Sequence, residues 1–411
     1  MNTTAPNNRL AYLDAVRAFA LLLGIVFHAS LSFVPVFIGW AVMDVSTSSI
    51  VGIFLLISHS FRMELFFLIA GFFSHMTFHR KGSGTFFRSR LTRIAIPFVT
   101  GWFILRPLIV SSWVMGGESM RGEVNILSGL NAGFESLGQL PTGLFTGTHL
   151  WFLYYLLLVT AIVLAGRAVL SLAPGFYPMV LKRTDALIAW VAGSRLSWLF
   201  LSLVTAICLW YMDGWGMDTP DKSLVPHWPV LTVYGGFFIL GWLLHRQQGL
   251  LEQFARLSKG RIALGVLGIV VTIVLSSYQN DFGHPRLGLI RAGFSFSYAL
   301  MMWSLVSISI GLFKRFFDKQ GKFVRYIADS SYWLYLIHLP VVVWLQIAFA
   351  ELPFHWLFKL IAISLLTIGI SIVLYDLFVR STLIGKVLNG RRRPKALFGL
   401  IQKREAKLES A

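Results

Sequence analysis

Ten windows of about 20 residues are apolar enough to lie in a bilayer, and nothing else in this 411-residue chain constrains its fold as strongly. They fall at roughly 10–33, 50–78, 94–112, 149–171, 196–212, 229–246, 261–278, 287–313, 328–350 and 355–379. Backbone in hydrocarbon must satisfy its own hydrogen bonds, so windows of this length must be helices. The chain is 56% hydrophobic and only 13% charged, and no polar block is large enough for a separate soluble domain. The expectation is an all-α, polytopic integral membrane protein of about ten transmembrane helices over 1–380, followed by a basic cytoplasmic tail, 381–411. The second window is long enough to be tilted or broken. The first lacks a small-residue cleavage site, so it reads as a retained span rather than a signal peptide. The single cysteine, Cys208, excludes an intrachain disulfide and a cysteine-based metal site.

The formal net charge is +18. In a soluble protein that charge suggests nucleic acid. Here the cations sit in short segments between apolar runs, so they read as topology, and no nucleic-acid partner is expected. Arg80, Lys81, Arg88, Arg90 and Arg93 mark one side, as do Lys182, Arg183, Arg246, Arg256, Lys259 and Arg261. Lys314, Arg315, Lys319, Lys322, Arg325, Arg391, Arg392, Arg393 and Lys395 join them. Asp44, Glu118, Glu123, Asp213, Asp218 and Asp221 mark the other. The positive-inside rule then places both termini in the cytoplasm, with the tail as a solvated anchor near anionic lipid.

Several ionisable residues sit inside these windows, each at a cost of roughly 2.5–3.5 kcal/mol by insertion scales. Such groups either are satisfied buried residues or line a cavity, and the second reading makes them functional candidates. In the first window Arg17 and His28 are eleven residues apart, which returns them to nearly one face about 16 Å apart along the axis. Asp14 is placed to pair with Arg17. The stretch HSFRMELFFLIAGFF carries His59 and Arg62 on one face at i,i+3 and at a depth that overlaps His28, with Glu64 about 160° round the helix from Arg62. His149 opens the fourth window, Ser331, Tyr335 and His338 share a stripe in the ninth, and Arg291 enters the eighth.

Other signals are weaker. There is no G-x-S-x-G elbow and no Walker loop. His59 and Glu64 match an H-x4-acid pattern, but on a continuous helix they lie about 140° apart, so the match is a coincidence. His75 and His79 could take a metal only with a third ligand that the sequence does not reveal, and no metal site is expected. The Gly-rich segment 113–148 is placed to cover a site as a lid. Segment 213–229, with Trp215 and Trp228, reads either as a sugar contact or as an aromatic belt with polar turns.

LDAVRAFALLLGIVFH, FRMELFFLIAGFFS, RLTRIAIP, HLWFL and SYWLYLIHLP, in this order, resemble the acyltransferase 3 family of integral membrane O-acyltransferases. Within it, HSFRMELFFLIAGFFSHM looks most like members that succinylate osmoregulated periplasmic glucans. The resemblance implies a bacterial inner-membrane enzyme that takes an acyl group, succinyl foremost, from cytoplasmic acyl-CoA to a periplasmic glycan hydroxyl. Acyl-CoA would be a co-substrate, with no permanently bound cofactor. It implies His28 as the essential histidine, Arg17 as its partner, and Arg90 and Arg93 as contacts to the CoA phosphates. His28 would be the general base, with Asp14 pairing to Arg17. Arg62 would hold the oxyanion or a distal succinyl carboxylate, supported by His59, with His149, Trp151 and His338 in substrate binding. Two rivals stand beside this reading: acyl transfer to another glycan, and a transporter or flippase without acyl chemistry.

Overall fold

The structure, a computed structural model, describes residues 10–138, 148–194, 196–247, 249–318 and 321–397. These residues form sixteen α-helices and no strand: α1 Ala11–Ser30, α2 Ser49–His59, α3 Arg62–Lys81, α4 Ser83–Arg90, α5 Ile96–Ser119, α6 Ile126–Glu135, α7 Trp151–Ser171 and α8 Phe176–Gly193. They continue with α9 Leu196–Trp210, α10 Trp228–Arg246, α11 Leu250–Phe254, α12 Lys259–Ser276, α13 Leu287–Phe316, α14 Lys322–Phe349, α15 Trp356–Leu374 and α16 Leu383–Asn389. Among the described residues nine segments are long and apolar enough to span a bilayer, or ten if the bent pair α8 and α9 counts as one span. The ninth and tenth windows correspond to α14 and α15. The fifth is different, because α9 has only 15 residues and α8 precedes it.

The second window is broken. The Ser58 hydroxyl donates to the Phe54 carbonyl at 2.7 Å and that of Ser60 to Ile57 at 2.8 Å. Serine back-bonding of this kind competes with the helical ladder and bends it. The chain turns at Ser60–Phe61 and restarts at Arg62. His59 and Arg62 therefore belong to different helices and do not share a face by helical spacing.

The segment read as a lid is mostly helical. The helix α5 runs on to Ser119, and α6 then folds back against it. The Asn125 side chain caps α6 by accepting from the Ser128 amide at 2.9 Å. The remainder of that expectation, 139–147, lies outside the described residues, as do Lys319 and the tail beyond 397.

Two devices hold the bundle around its centre. The helices α3 and α10 cross in close contact at Gly71 and Gly241, where an added Cβ would overlap the backbone carbonyls of Phe238 and Leu68. Lys359 on α15 donates to Asp44 at 2.7 Å, with side chains 0% and 1% exposed. The same ammonium reaches the Ala350 carbonyl at 3.1 Å, and Asp44 accepts from the Ser46 amide at 2.8 Å. Removing one partner of such a buried pair costs about 3–5 kcal/mol. The pair therefore pins segment 34–48 to the α14–α15 turn.

The segment after residue 380 also folds onto the bundle. Asp376 accepts from the amides of Ala396 and Leu397 at 2.9 and 3.0 Å, and Arg393 pairs with Asp329. The described part of the tail, up to 397, is thus docked rather than trailing in solvent.

Candidate functional site

A cavity of about 850 Å³ lies among α1, α2, α3, α5, α7 and α14. Arg17, Arg90, Arg93, Leu388 and Asn389 line one end, which belongs to the basic loops. Gly39, Trp40, Thr148, Thr219, Asp221 and Lys222 line the other, which belongs to the acidic loops. Between them stand His28, His59, Arg62, His149, Trp151, Tyr335 and His338. Of the ten residues to which the resemblance gives a part in the reaction or in substrate binding, Asp14 alone is off the lining. It is buried, and Arg17 approaches it at 3.7 Å while also donating to the Ala328 carbonyl at 3.2 Å.

Three imidazoles meet at mid-depth. The ring of His338 lies 5.2 Å from His28 and 5.4 Å from His149, centroid to centroid. The tautomers of His149 and His338 follow from carbonyl partners, which can only accept. Pro340 has no amide hydrogen, so the Leu336 carbonyl four residues before it has no helical partner. His149 fills that vacancy, its Nε2 donating to Leu336 at 2.9 Å. The Nδ1 atom of His149 is then a buried lone pair with no partner. The Nδ1 of His338 donates to the Tyr335 carbonyl at 2.7 Å, which leaves its Nε2 as the basic nitrogen. His28 keeps a buried Nδ1 without a partner.

Side chains from distant parts of the chain hold His28 in place. Gln346 Nε2 donates to the carbonyls of His28 and Ala29, both at 3.0 Å, in the last turn of α1, where the Leu31 amide also reaches the His28 carbonyl. Gln346 Oε1 accepts from the Trp40 indole at 2.9 Å. The Trp40 ring in turn stacks on the His28 ring, with centroids 5.7 Å apart and planes 21° apart. Tyr335 donates to the His149 carbonyl at 2.7 Å, which braces the second imidazole.

Arg62 is 6% exposed, and its guanidinium lies over the Phe27 ring at 4.4 Å. Its Nε and Nη1 have no partner, and among the described residues no carboxylate pairs with it. Glu64 faces away, with both carboxylate oxygens buried and unpartnered. His59 stacks on Phe27 at 5.6 Å and meets the Thr219 hydroxyl at 3.2 Å. At the basic end Arg90 donates to Ser74, and Tyr332 donates to the Arg93 carbonyl at 2.6 Å. Arginine at such a mouth suits a phosphate-bearing ligand.

Other candidates separate from the cavity. Arg291 donates to the carbonyls of Trp210 and Met212, which ties α13 to the end of α9. Trp215 packs on Phe294 at 5.2 Å, and Trp228 is 67% exposed at the start of α10. Neither lines the cavity. His75 does find a third imidazole, His245, with Nδ1 atoms 2.8 Å apart, but His79 gives its Nε2 to Arg167 at 3.0 Å. Among the described residues only Asp213, Asp218 and His227 bring three potential ligand atoms within 4.8 Å of one another. There Asp218 already accepts the amides of Asp213 and Gly214, which closes a turn. Trp40, Trp113 and Gln346 escaped the sequence reading, while Asp221 entered it only as a loop charge within segment 213–229. Only Gln346, an amide inside an apolar window, carried a signal.

Residues 10–376 match the family model described as an acyltransferase domain. The protein named glucans biosynthesis protein C in Salmonella paratyphi B is 23% identical over 402 residues, covering 95% of this chain and 97% of its own length. The proteins of that name in Salmonella dublin and Salmonella gallinarum match to the same extent. No solved structure matches.

Proposed function

The chain belongs to this acyltransferase family and is a multi-pass membrane acyltransferase, and from that premise we propose that it carries a succinyl group from succinyl-CoA through the membrane to a glucan hydroxyl. In this reading the basic end of the cavity is cytoplasmic, the far end is periplasmic, and the membrane is the bacterial inner membrane. The observation that carries it is one cavity reached by cationic residues at one end and mixed polar residues at the other, with an unpartnered imidazole between. The glucan acceptor rests on the relatives being named for glucan biosynthesis.

The chemistry needs few groups. Arg90 and Arg93 hold the CoA phosphates at the basic mouth, and the pantetheine arm extends inward. His28 takes the proton as the acceptor oxygen bonds to the thioester carbonyl carbon. Negative charge then develops on the carbonyl oxygen and is met by a nearby cation or N–H. Collapse breaks the carbon–sulfur bond. The thiolate recovers the proton from His28, leaving an ester and free thiol. Arg62, cationic and without an ion-paired carboxylate among the described residues, receives the far carboxylate of a succinyl donor in a two-pronged contact.

The test is mass spectrometry of periplasmic glucans from a null strain that carries either the wild-type protein or His28→Ala at equal expression. A succinyl increment with wild type only is the expected outcome. A different acyl mass would keep the reaction and replace the donor. Unmodified glucans in both strains would overturn the acceptor and return the transporter reading to consideration.

A further inference from the structure

The two ends of the cavity differ in chemistry. The basic end offers arginines, whereas the far end offers two indoles, a carboxylate beside an ammonium, and hydroxyls. Trp40 and Trp113 come from segments 73 positions apart, yet their rings meet edge to face at 5.0 Å. Both are only partly buried, so aromatic surface remains open to the cavity. Aromatic faces pack against the C–H faces of sugar rings, while a carboxylate accepts from sugar hydroxyls. Lys222 stands beside Asp221 and offsets its charge, so nothing at this mouth favours a charged ring over a neutral one. Burial raises the Asp221 carboxyl above its ordinary value, with Lys222 pulling it back.

Taken with the glycan-acceptor reading above, on which it rests, this geometry leads us to propose that Trp40, Trp113 and Asp221 form the subsite for the sugar ring being acylated, and that the ring is neutral. Gln346 is a positioning residue in this arrangement. It binds the Trp40 indole and the His28 backbone at once, so a ring seated on the indoles is held in fixed relation to the imidazole. The tryptophans of 213–229 take no part, because Trp215 is packed on Phe294 and Trp228 stands off the cavity.

The experiment uses the full chain in lipid nanodiscs, with succinyl-CoA as donor and a neutral glucose oligomer as acceptor. Trp113→Ala and Asp221→Asn are expected to raise the acceptor KM at least tenfold and leave the donor KM unchanged, while Trp228→Ala moves neither. Binding of the same oligomer without donor, read by tryptophan fluorescence, should weaken in parallel. An acidic oligomer should bind at least tenfold more weakly to wild type. Trp113→Phe, which keeps an aromatic face, should recover most of the loss. Unchanged acceptor KM and unchanged sugar binding in both variants would overturn the subsite. Sugar binding lost in the variants, but with no acylation by wild type, would keep the subsite and sink the acyl-transfer reading instead.

Discussion

Two clusters in this molecule have nearly the same composition. His28, His149 and His338 gather near Arg62 at mid-depth, and His75, His79 and His245 gather near Arg167 at the basic ends of α3 and α10. Ring spacing does not distinguish them, at 5.2 and 5.4 Å in the first and 4.3 and 5.0 Å in the second. Partners and room do. In the second cluster two Nδ1 atoms share a hydrogen bond at 2.8 Å, Arg167 occupies His79, and Trp242 and Phe72 pack edge-on against the rings. It lines no part of the cavity. In the first, His28 and His149 each hold an unpartnered nitrogen, no carboxylate among the described residues forms an ion pair with Arg62, and 850 Å³ of space adjoins them. Chemistry needs a free lone pair facing room for a substrate. Residue type and depth alone do not provide it.

This contrast can be broken by mutation. The largest effect is expected from His28→Ala. Loss of a general base costs about 10²- to 10⁴-fold in rate, and the purified variant should retain its melting temperature. Equal activity in His28→Ala would remove the distinction between the clusters. Next, Arg62→Gln should cut succinyl transfer by more than acetyl transfer. An Arg–carboxylate contact is worth about 1.5–3 kcal/mol, or roughly 10- to 150-fold in the ratio of the two donors. Equal losses for both donors would move Arg62 from the distal carboxylate to the oxyanion. Gln346→Leu should lower kcat by about tenfold with little change in donor KM, since each hydrogen bond it loses is worth about 1 kcal/mol. A pure loss of melting temperature would reduce Gln346 to a structural strut. The smallest effect on rate is expected from His75→Gln. It should leave transfer within about twofold while lowering stability by about 1 kcal/mol, the worth of one buried hydrogen bond. A strong rate loss there would mean that the second cluster also serves the reaction.

The fold was legible to the extent that burial is a local property. Apolar runs announced most spans, and charges inside them announced His28, Arg62, His149 and His338, because each must be compensated in hydrocarbon. The break at Ser60–Phe61 left a trace in two serines, but the same residues occur in unbroken helices. The extension of α5 to Ser119 and the return of α6 were hidden by glycines that read as loop. Trp40 and Trp113 left no trace, and Asp221 showed only as one acid of segment 213–229, since indoles and acids are ordinary in the segments between spans.

The sequence alone therefore determined that this chain lives in a membrane as helices, which loops are basic, and which buried charges need an explanation. Those conclusions rest on transfer free energies, which each residue carries with it. Only the tertiary structure decided that His28 and Arg62 line one cavity while Glu64 and the second histidine cluster do not. It also joined Gln346 to His28 across 318 positions of sequence. A cavity is a property of how helices pack, set by crossings such as that of α3 and α10 at Gly71 and Gly241 and by pins such as Lys359 on Asp44. No single window contains it.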